Sequence, residues 1–438
     1  MIIVDIYKIN HWMNARKVTL NLFKKKKKNL YNKLIKKKNF LINTKELDFF
    51  KKYLDVHQND IVLKEKLPSY ILFSKEKIFS TKRPIKRDGI HFYNYYTLPS
   101  PKGFKAPVIL DILCPFNKIP KLNNGHLEQA ITVNLGPGDI YGRWGSDIKK
   151  KENYSIIKSN QDKYKWIVGD TYIEPTYLPH TYSLVNKTPS QILSYTAKSQ
   201  LQKFSDNSNI WPDQSYRNFI NSVNKYGQKI TFLKSYLNTR GLELKYISKK
   251  IKISLKNLNE FFKSKKINNK NKLILEKICK IMNIDKSIFL EKKYNEDKVG
   301  KTYKSLKESI KSIRNYKSYS VSSMASSERY PDLYGIFIKV SKTKKVHDLE
   351  YYASTHYLVT SGKMLFHINN KNIKFEKGDS VWVAPFTKHG FSGNGALIKI
   401  SNGECIDYQD VYEINKIYNH EKILKRIYKD DVNWGYEI

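Results

Sequence analysis

The chain has 438 residues, too many for one compact domain, and its 40% hydrophobic content is enough for several cores. No apolar run is long enough to cross a bilayer, the N-terminus lacks the apolar stretch of a secretory leader, and the three scattered cysteines (Cys114, Cys279 and Cys405) exclude a disulfide framework and a CxxC zinc site, so a reducing cytoplasm without membrane contact is expected. The net charge is +40, yet the excess is nearly all lysine in a chain also crowded with Asn, Ile and Tyr, so compositional drift is favoured over a nucleic-acid footprint, although a small anionic substrate would still gain from the field.

From the N-terminus, ARKVTLNLFKKKKKNLYNKLI (15–35) and YLDVHQNDIVL (53–63) predict a helical bundle over 1–68. Residues 69–200 hold short β-branched and aromatic runs cut by Gly, Pro and Asn, which predict an antiparallel barrel. A second bundle is predicted over 201–310. There, Leu242, Leu244, Ile247, Ile251, Leu255, Leu258 and Phe262 recur at helical spacing. Their pattern breaks near Ile253-Ser254, where Ser254 can cap the next helix, and KLILEKICKIMNI (272–284) predicts another. Residues 311–438 predict a second barrel and a C-terminal segment, with linkers near 64–80, 201–228 and 291–330. The two bundles match at a constant offset, Arg16 with Arg240, Phe23 with Ile247 and Leu34 with Leu258. The expected fold class is therefore α+β, a tandem repeat of a helix-turn-helix-like bundle followed by a cupin β-barrel.

The duplication allows the two barrels to be compared residue by residue. Gly169-Asp170 opens GDTYIEPTYLPH and Gly378-Asp379 opens GDSVWVAPFTKH, each leading to a histidine, His180 or His389. Between them the first copy carries Glu174 where the second has Val383. A carboxylate inside a barrel is costly unless it is paired or bound to a metal. Two histidines and one carboxylate on one face are a common iron(II) set that leaves positions open for substrate and O₂. Glu174 and His180, six residues apart, are expected to face inward at even spacing, and His126, opening a neighbouring strand, is the third candidate. His356 and His389 read as hydrogen-bonded core histidines of a metal-free second barrel.

Longer strings carry a resemblance. HWMNARK (11–17), RPIKRDGIHFYNYYTLP (83–99), LDILCP (110–115), LNNGHLEQAITVNLGPGDIYGRWG (122–145), YIEPTYLPHTYSL (172–184), SYTAKS (194–199), GKTYKSLKESIKS (300–312), SMASSERYPDLYG (323–335), YQDVYE (408–413) and the terminal WGYEI resemble the 2-hydroxyethylphosphonate dioxygenase family. The resemblance implies an Fe(II) enzyme that uses O₂ to cleave 2-hydroxyethylphosphonate to hydroxymethylphosphonate and formate, without 2-oxoglutarate or an external reductant. It implies His126, Glu174 and His180 as iron ligands. It also implies Lys17, Arg87, Tyr95 and Asn123 as phosphonate contacts, with Tyr95 in a catalytic role, and Tyr172 and Ser194 as further pocket positions. Arg87 and Lys17 would supply charge-assisted bonds to a dianion, and Tyr95 and Asn123 neutral donors. Lys17 lies far from the barrel in sequence, so a bundle from the other repeat or another copy in a homo-oligomer would have to bring it in.

Two relatives on the same scaffold remain alternatives. Methylphosphonate synthase takes the same substrate with a glutamine about one turn after the first histidine and no carboxylate at the Glu174 position. Ala130 and Glu174 favour the dioxygenase, while Gln129 departs from the proline expected there. A hydroxymethylphosphonate-oxidising relative would keep the same ligands. A transcriptional regulator with helix-turn-helix heads is the reading from another class, but Phe261-Phe262 at the end of its recognition helix suits packing better than DNA.

Overall fold

The computed structural model describes residues 1–36, 38–87, 89–147, 153–226, 229–264, 269–290, 292–341 and 349–429; the terminal WGYEI lies outside them. Near the N-terminus, helices Ile6–Ala15, Leu20–Lys26, Lys28–Leu34 and Thr44–Leu54 bury Ile9, Phe23, Leu34, Phe50 and Leu54 in one core. Asn43 and Glu46 form a capping box at the start of the last of these. Later, helices Lys229–Thr239, Leu244–Ile251, Leu255–Lys263 and Asn269–Met282 enclose Leu233, Ile247, Leu258 and Leu275. Lys252 stops one helix in the left-handed conformation, and Ser254 starts the next by accepting from the Asn257 amide at 3.2 Å. No helix among the described residues is long and apolar enough to cross a membrane.

The β-structure does not close into barrels. In the first half, seven strands run in the order Thr302–Lys304, Thr171–Glu174, Ala130–Pro137, Ser190–Thr196, Val108–Ile112, Ile90–Thr97, Arg83–Arg87. A separate sheet of His180–Leu184, Ile140–Trp144 and Tyr154–Ile157 shares a core with it, made of Tyr93, Leu110, Tyr172 and Ile192 from one sheet and Ile140, Trp144, Ile157 and Tyr182 from the other. The second half is one eight-stranded assembly built on two long antiparallel strands, Ser354–Ile368 and His389–Asn402. Its path ends on Tyr70–Phe73.

That ending explains the openness. Each half covers one edge with a strand from the other half instead of closing on itself. Tyr70–Phe73 pairs antiparallel with Ser380–Val383, while Thr302–Lys304 pairs with Thr171–Glu174. Both exchanged strands run through a serine N-cap, Ser74 or Ser305, into a short helix, Lys75–Phe79 or Leu306–Lys311. The aspartate of each Gly-Asp turn receives the helix of the other half. Asp379 Oδ1 accepts from the Lys75 amide at 2.9 Å, and Asp170 Oδ1 from the Leu306 amide at 2.6 Å. Asp170 Oδ2 also accepts from the Lys158 amide and the Tyr303 hydroxyl. The segments near 64–80 and 291–330, expected to be linkers, thus carry paired strands. Strand 70–73 thus pairs with residues 380–383, and strand 302–304 with residues 171–173, so each pairing joins two of the expected segments.

The two halves also share one core. Ile131, Val133, Ile173, Leu193 and Tyr195 pack with Met324, Phe337, Leu358, Ile398 and Ile400. We therefore expect Asp170→Ala, which strands the Leu306 and Lys158 amides together, to lower the unfolding free energy by roughly 2–4 kcal/mol, read as a shift of a single urea transition covering both halves.

Candidate metal centre

Glu174 is the last residue of its strand and lies opposite Ala130. His180 is the first residue of a strand in the other sheet, opposite Trp144. Even spacing along one strand does not bring them together. The turn between them, with Tyr177 at φ 54°, carries the chain from one sheet to the other and points both side chains into the gap. His126 does not open a strand either. It sits in the loop four positions before Ala130, where its carbonyl accepts from the Tyr177 amide at 2.7 Å. Gly125, at φ 74°, makes that approach possible, because a Cβ there would meet the Tyr177 backbone at 2.5 Å.

The three side chains form a group whose ligand atoms lie within 4.8 Å of one another, the one such His/Cys/Asp/Glu group found among the described residues. Glu174 Oε1 is 3.3 Å from His126 Nε2 and 3.5 Å from His180 Nδ1. Its other oxygen, Oε2, accepts from the Trp144 indole at 2.9 Å. His126 Nδ1 bonds the Glu128 carbonyl and His180 Nδ1 the Leu178 carbonyl, backbone contacts of the kind that orient metal-binding imidazoles. His180 Nε2 takes the Asn123 side-chain amide at 2.9 Å.

The donor set fits a divalent cation. Glu174 is 1% exposed, and no lysine or arginine forms an ion pair with it among the described residues. Burial pushes its pKa up, but His180, His126 and the Trp144 N–H outweigh that and hold it below the usual carboxylate range. For His126, burial disfavours the charged ring, yet the Glu174 carboxylate and the Glu128 carbonyl raise its pKa above the ordinary value. A buried carboxylate beside imidazoles that can give up a proton is the chemistry of a metal site.

A cavity of about 190 Å³ adjoins the group, lined by Arg87, Tyr95, Asn123, His126, His180, Ser194 and Thr196 with Tyr93, Tyr182 and aliphatic side chains. Arg87 spans the Phe92 ring and donates to the Lys121 carbonyl at 2.9 Å. Asn123 Oδ1 accepts from the His180 and Gly125 amides, which locks its loop to the ligand strand. Ser194 is bonded by Thr132. Burial raises the Tyr95 pKa, with Arg87 pulling it down and Glu174 adding to the rise. Tyr172 does not line the cavity; it stands behind the wall with its hydroxyl against that of Tyr182. Lys17 is exposed just beyond helix Ile6–Ala15, at φ 56°, and is not part of the lining. Motif reading missed Trp144, Tyr93 and Tyr182. The register signal for Trp144 was its place opposite His180, which emerges only once the strands pair.

The equivalent space in the second half is filled. Val383 lies in a core with Phe366, Phe375 and Phe391, and Phe391 stands where the first copy has Tyr182. His389 is buried against the Tyr357 hydroxyl at 2.7 Å. His356 is buried against the Tyr195 ring, with neither ring nitrogen hydrogen-bonded among the described residues. Burial holds its pKa down at about 3.

Comparison with known proteins places these features in context. Residues 79–197 match the profile of the 2-hydroxyethylphosphonate dioxygenase cupin-like domain. The 2-hydroxyethylphosphonate dioxygenase of Streptomyces viridochromogenes is 33% identical over 450 aligned positions, covering 99% of both chains. The methylphosphonate synthase of Nitrosopumilus maritimus is 25% identical, over 79% of this chain and 76% of its own. A solved structure described as a cadmium form complexed with hydroethylphosphonate superposes with a TM-score of 0.78 at 32% identity, over 97% of this chain and 99% of that one.

Two outcomes are expected at the centre. Glu174→Ala abolishes stoichiometric metal binding while His389→Ala retains it, as read by metal analysis after anaerobic loading; equal loss in both would refute a single centre. Metal affinity falls as pH drops through the raised His126 pKa, because the metal needs the neutral ring, and a pH titration of the dissociation constant checks the sign.

Proposed function

The chain belongs to the 2-hydroxyethylphosphonate dioxygenase family, and from that premise we propose that it holds Fe(II) on His126, Glu174 and His180 and uses O₂ to cleave 2-hydroxyethylphosphonate into hydroxymethylphosphonate and formate. The observation that carries the reading is the buried carboxylate of Glu174 between two imidazoles, beside a cavity with an arginine in its wall. When bound, the metal supplies a meeting point for O₂ and the substrate oxygens. The chain's own groups do the positioning. Arg87 offers the phosphonate a fixed cation, and Tyr95, Asn123 and Ser194 offer neutral donors that set its orientation. The Asn123 amide now on His180 Nε2 is the group that would turn toward substrate when metal takes that nitrogen. The aliphatic wall of Val108, Leu110 and Ile192 keeps water from the carbon–carbon bond. Lys17 does not line the cavity in the single chain, and we infer that a homo-oligomer would bring it there.

The same reading favours the dioxygenase over the synthase. In the synthase pattern a glutamine stands where this chain has Ala130, directly opposite Glu174. Across that pair only one side chain needs to reach the metal, and here the small alanine leaves the space to the glutamate. Gln129 is occupied elsewhere, donating to the Lys198 carbonyl at 2.8 Å. We further read the chain as two helical-plus-cupin units, with catalysis in the first and the helix-turn-helix-like segments serving as packing elements. Three unpaired cysteines suit a cytoplasmic setting.

Phosphorus NMR after anaerobic Fe(II) loading, then 2-hydroxyethylphosphonate and O₂, tests the product. Hydroxymethylphosphonate with equimolar formate is expected, and methylphosphonate would assign the chain to the synthase activity. Lys17→Ala should raise KM about tenfold or more without removing metal, and an unchanged KM would place this lysine outside the pocket.

A further inference from the structure

Lys301 is buried, with its side chain 4% exposed, one residue before the exchanged strand Thr302–Lys304. That strand sets Thr302 opposite Ile173, next to Glu174, so the pairing that builds the sheet also delivers the lysine to the centre. Its ammonium lies 4.5 Å from the centroid of the Trp144 ring, 5.4 Å from Tyr303 and 5.9 Å from Tyr172. Its charge partner is Asp297, at 3.1 Å, which is partly exposed and closes its own turn by accepting from the Lys301 and Val299 amides. Gly142 leaves room for the indole, since a Cβ there would meet the ring at 2.2 Å.

We propose that Lys301 is a positioning residue for the metal centre, acting on Glu174 through the Trp144 indole. This rests on the metal-centre reading above. A cation on the indole face draws density from the ring and strengthens its N–H as a donor. That N–H holds Glu174 Oε2, so Oε1 is the oxygen left facing both histidines. The run Asp297–Lys301–Trp144–Glu174 therefore sets which carboxylate oxygen is offered to a metal, and the run starts in the segment leading into the second half. The ion pair with Asp297 makes the field of the ammonium fall off faster with distance, so it acts on the Trp144 ring that it touches more than on a bound cation beyond the carboxylate. Burying a lysine among three rings is costly, and packing alone would be better served by methionine.

The test is a double-mutant cycle on the full chain, read as anaerobic Fe(II) affinity by competition with a chromophoric chelator, with thermal unfolding of the metal-free variants as the fold control. Trp144→Phe should weaken binding about tenfold and Lys301→Met about three- to tenfold. The double variant should bind no more weakly than Trp144→Phe alone, and Lys301→Arg should recover most of the loss. Affinity unchanged or tighter in Lys301→Met, or additive losses in the double variant, overturns the proposal. Where Lys301→Met does not fold, Lys301→Gln is read by the same criteria. Failure of the wild-type chain to bind metal would sink the centre itself, whereas wild-type binding that Glu174→Ala abolishes and Lys301→Met leaves intact sinks this inference alone.

Discussion

One buried carboxylate organises the functional half of this protein. Glu174 has lost its water, and its compensation comes from an indole N–H on one oxygen and two imidazoles around the other. Removing a charge from water costs several kcal/mol unless such partners are in place beforehand, so the surroundings must be built before the carboxylate can be tolerated. The Gly-Asp turn starts its strand, the Tyr177 turn carries the chain to His180, and Gly125 admits His126 close to that turn. Each is a backbone requirement whose purpose becomes visible only at the end of the Glu174 side chain.

The second half shows what the same frame does without that charge. Val383 replaces the carboxylate, Phe391 replaces Tyr182, and the space between the strands closes on Phe366 and Phe375. The frame has not become dispensable. Its Gly-Asp turn, through Asp379, anchors the helix that follows the strand Tyr70–Phe73, just as Asp170 anchors the helix after Thr302–Lys304. The halves hold each other's edges, and a common core runs between them. The second half thus contributes to the centre structurally, by keeping the strand beside Glu174 in register.

The centre was legible in the sequence to the extent that it depended on local order. Comparing the two Gly-Asp turns picked out Glu174 against Val383, and helical spacing placed Ser254 at the start of its helix. What could not be read was set by pairing between distant segments. Trp144 reaches Glu174 because it lies opposite His180 in one sheet while Glu174 lies opposite Ala130 in another. The closed barrels failed for the same reason, since nothing local in YILF or TYK says that each will pair with the other half. A signal was present in Ser305 and Glu308, which form a capping box and mark 306–311 as a helix where a linker was expected.

The exchange has a consequence for how the fold and the site are coupled. A self-contained barrel could hold its metal ligands whatever happened elsewhere in the chain. Here the strand beside the glutamate is supplied from more than a hundred residues away in sequence, and it brings a cation to the ring that holds the carboxylate. Loss of pairing at Thr302–Lys304 would expose an edge and would also take Lys301 off the Trp144 face. The edge-covering device and the ligand-orienting device are therefore one piece of chain. This gives a physical reason for the second half to be retained even though its own interior is filled with phenylalanine.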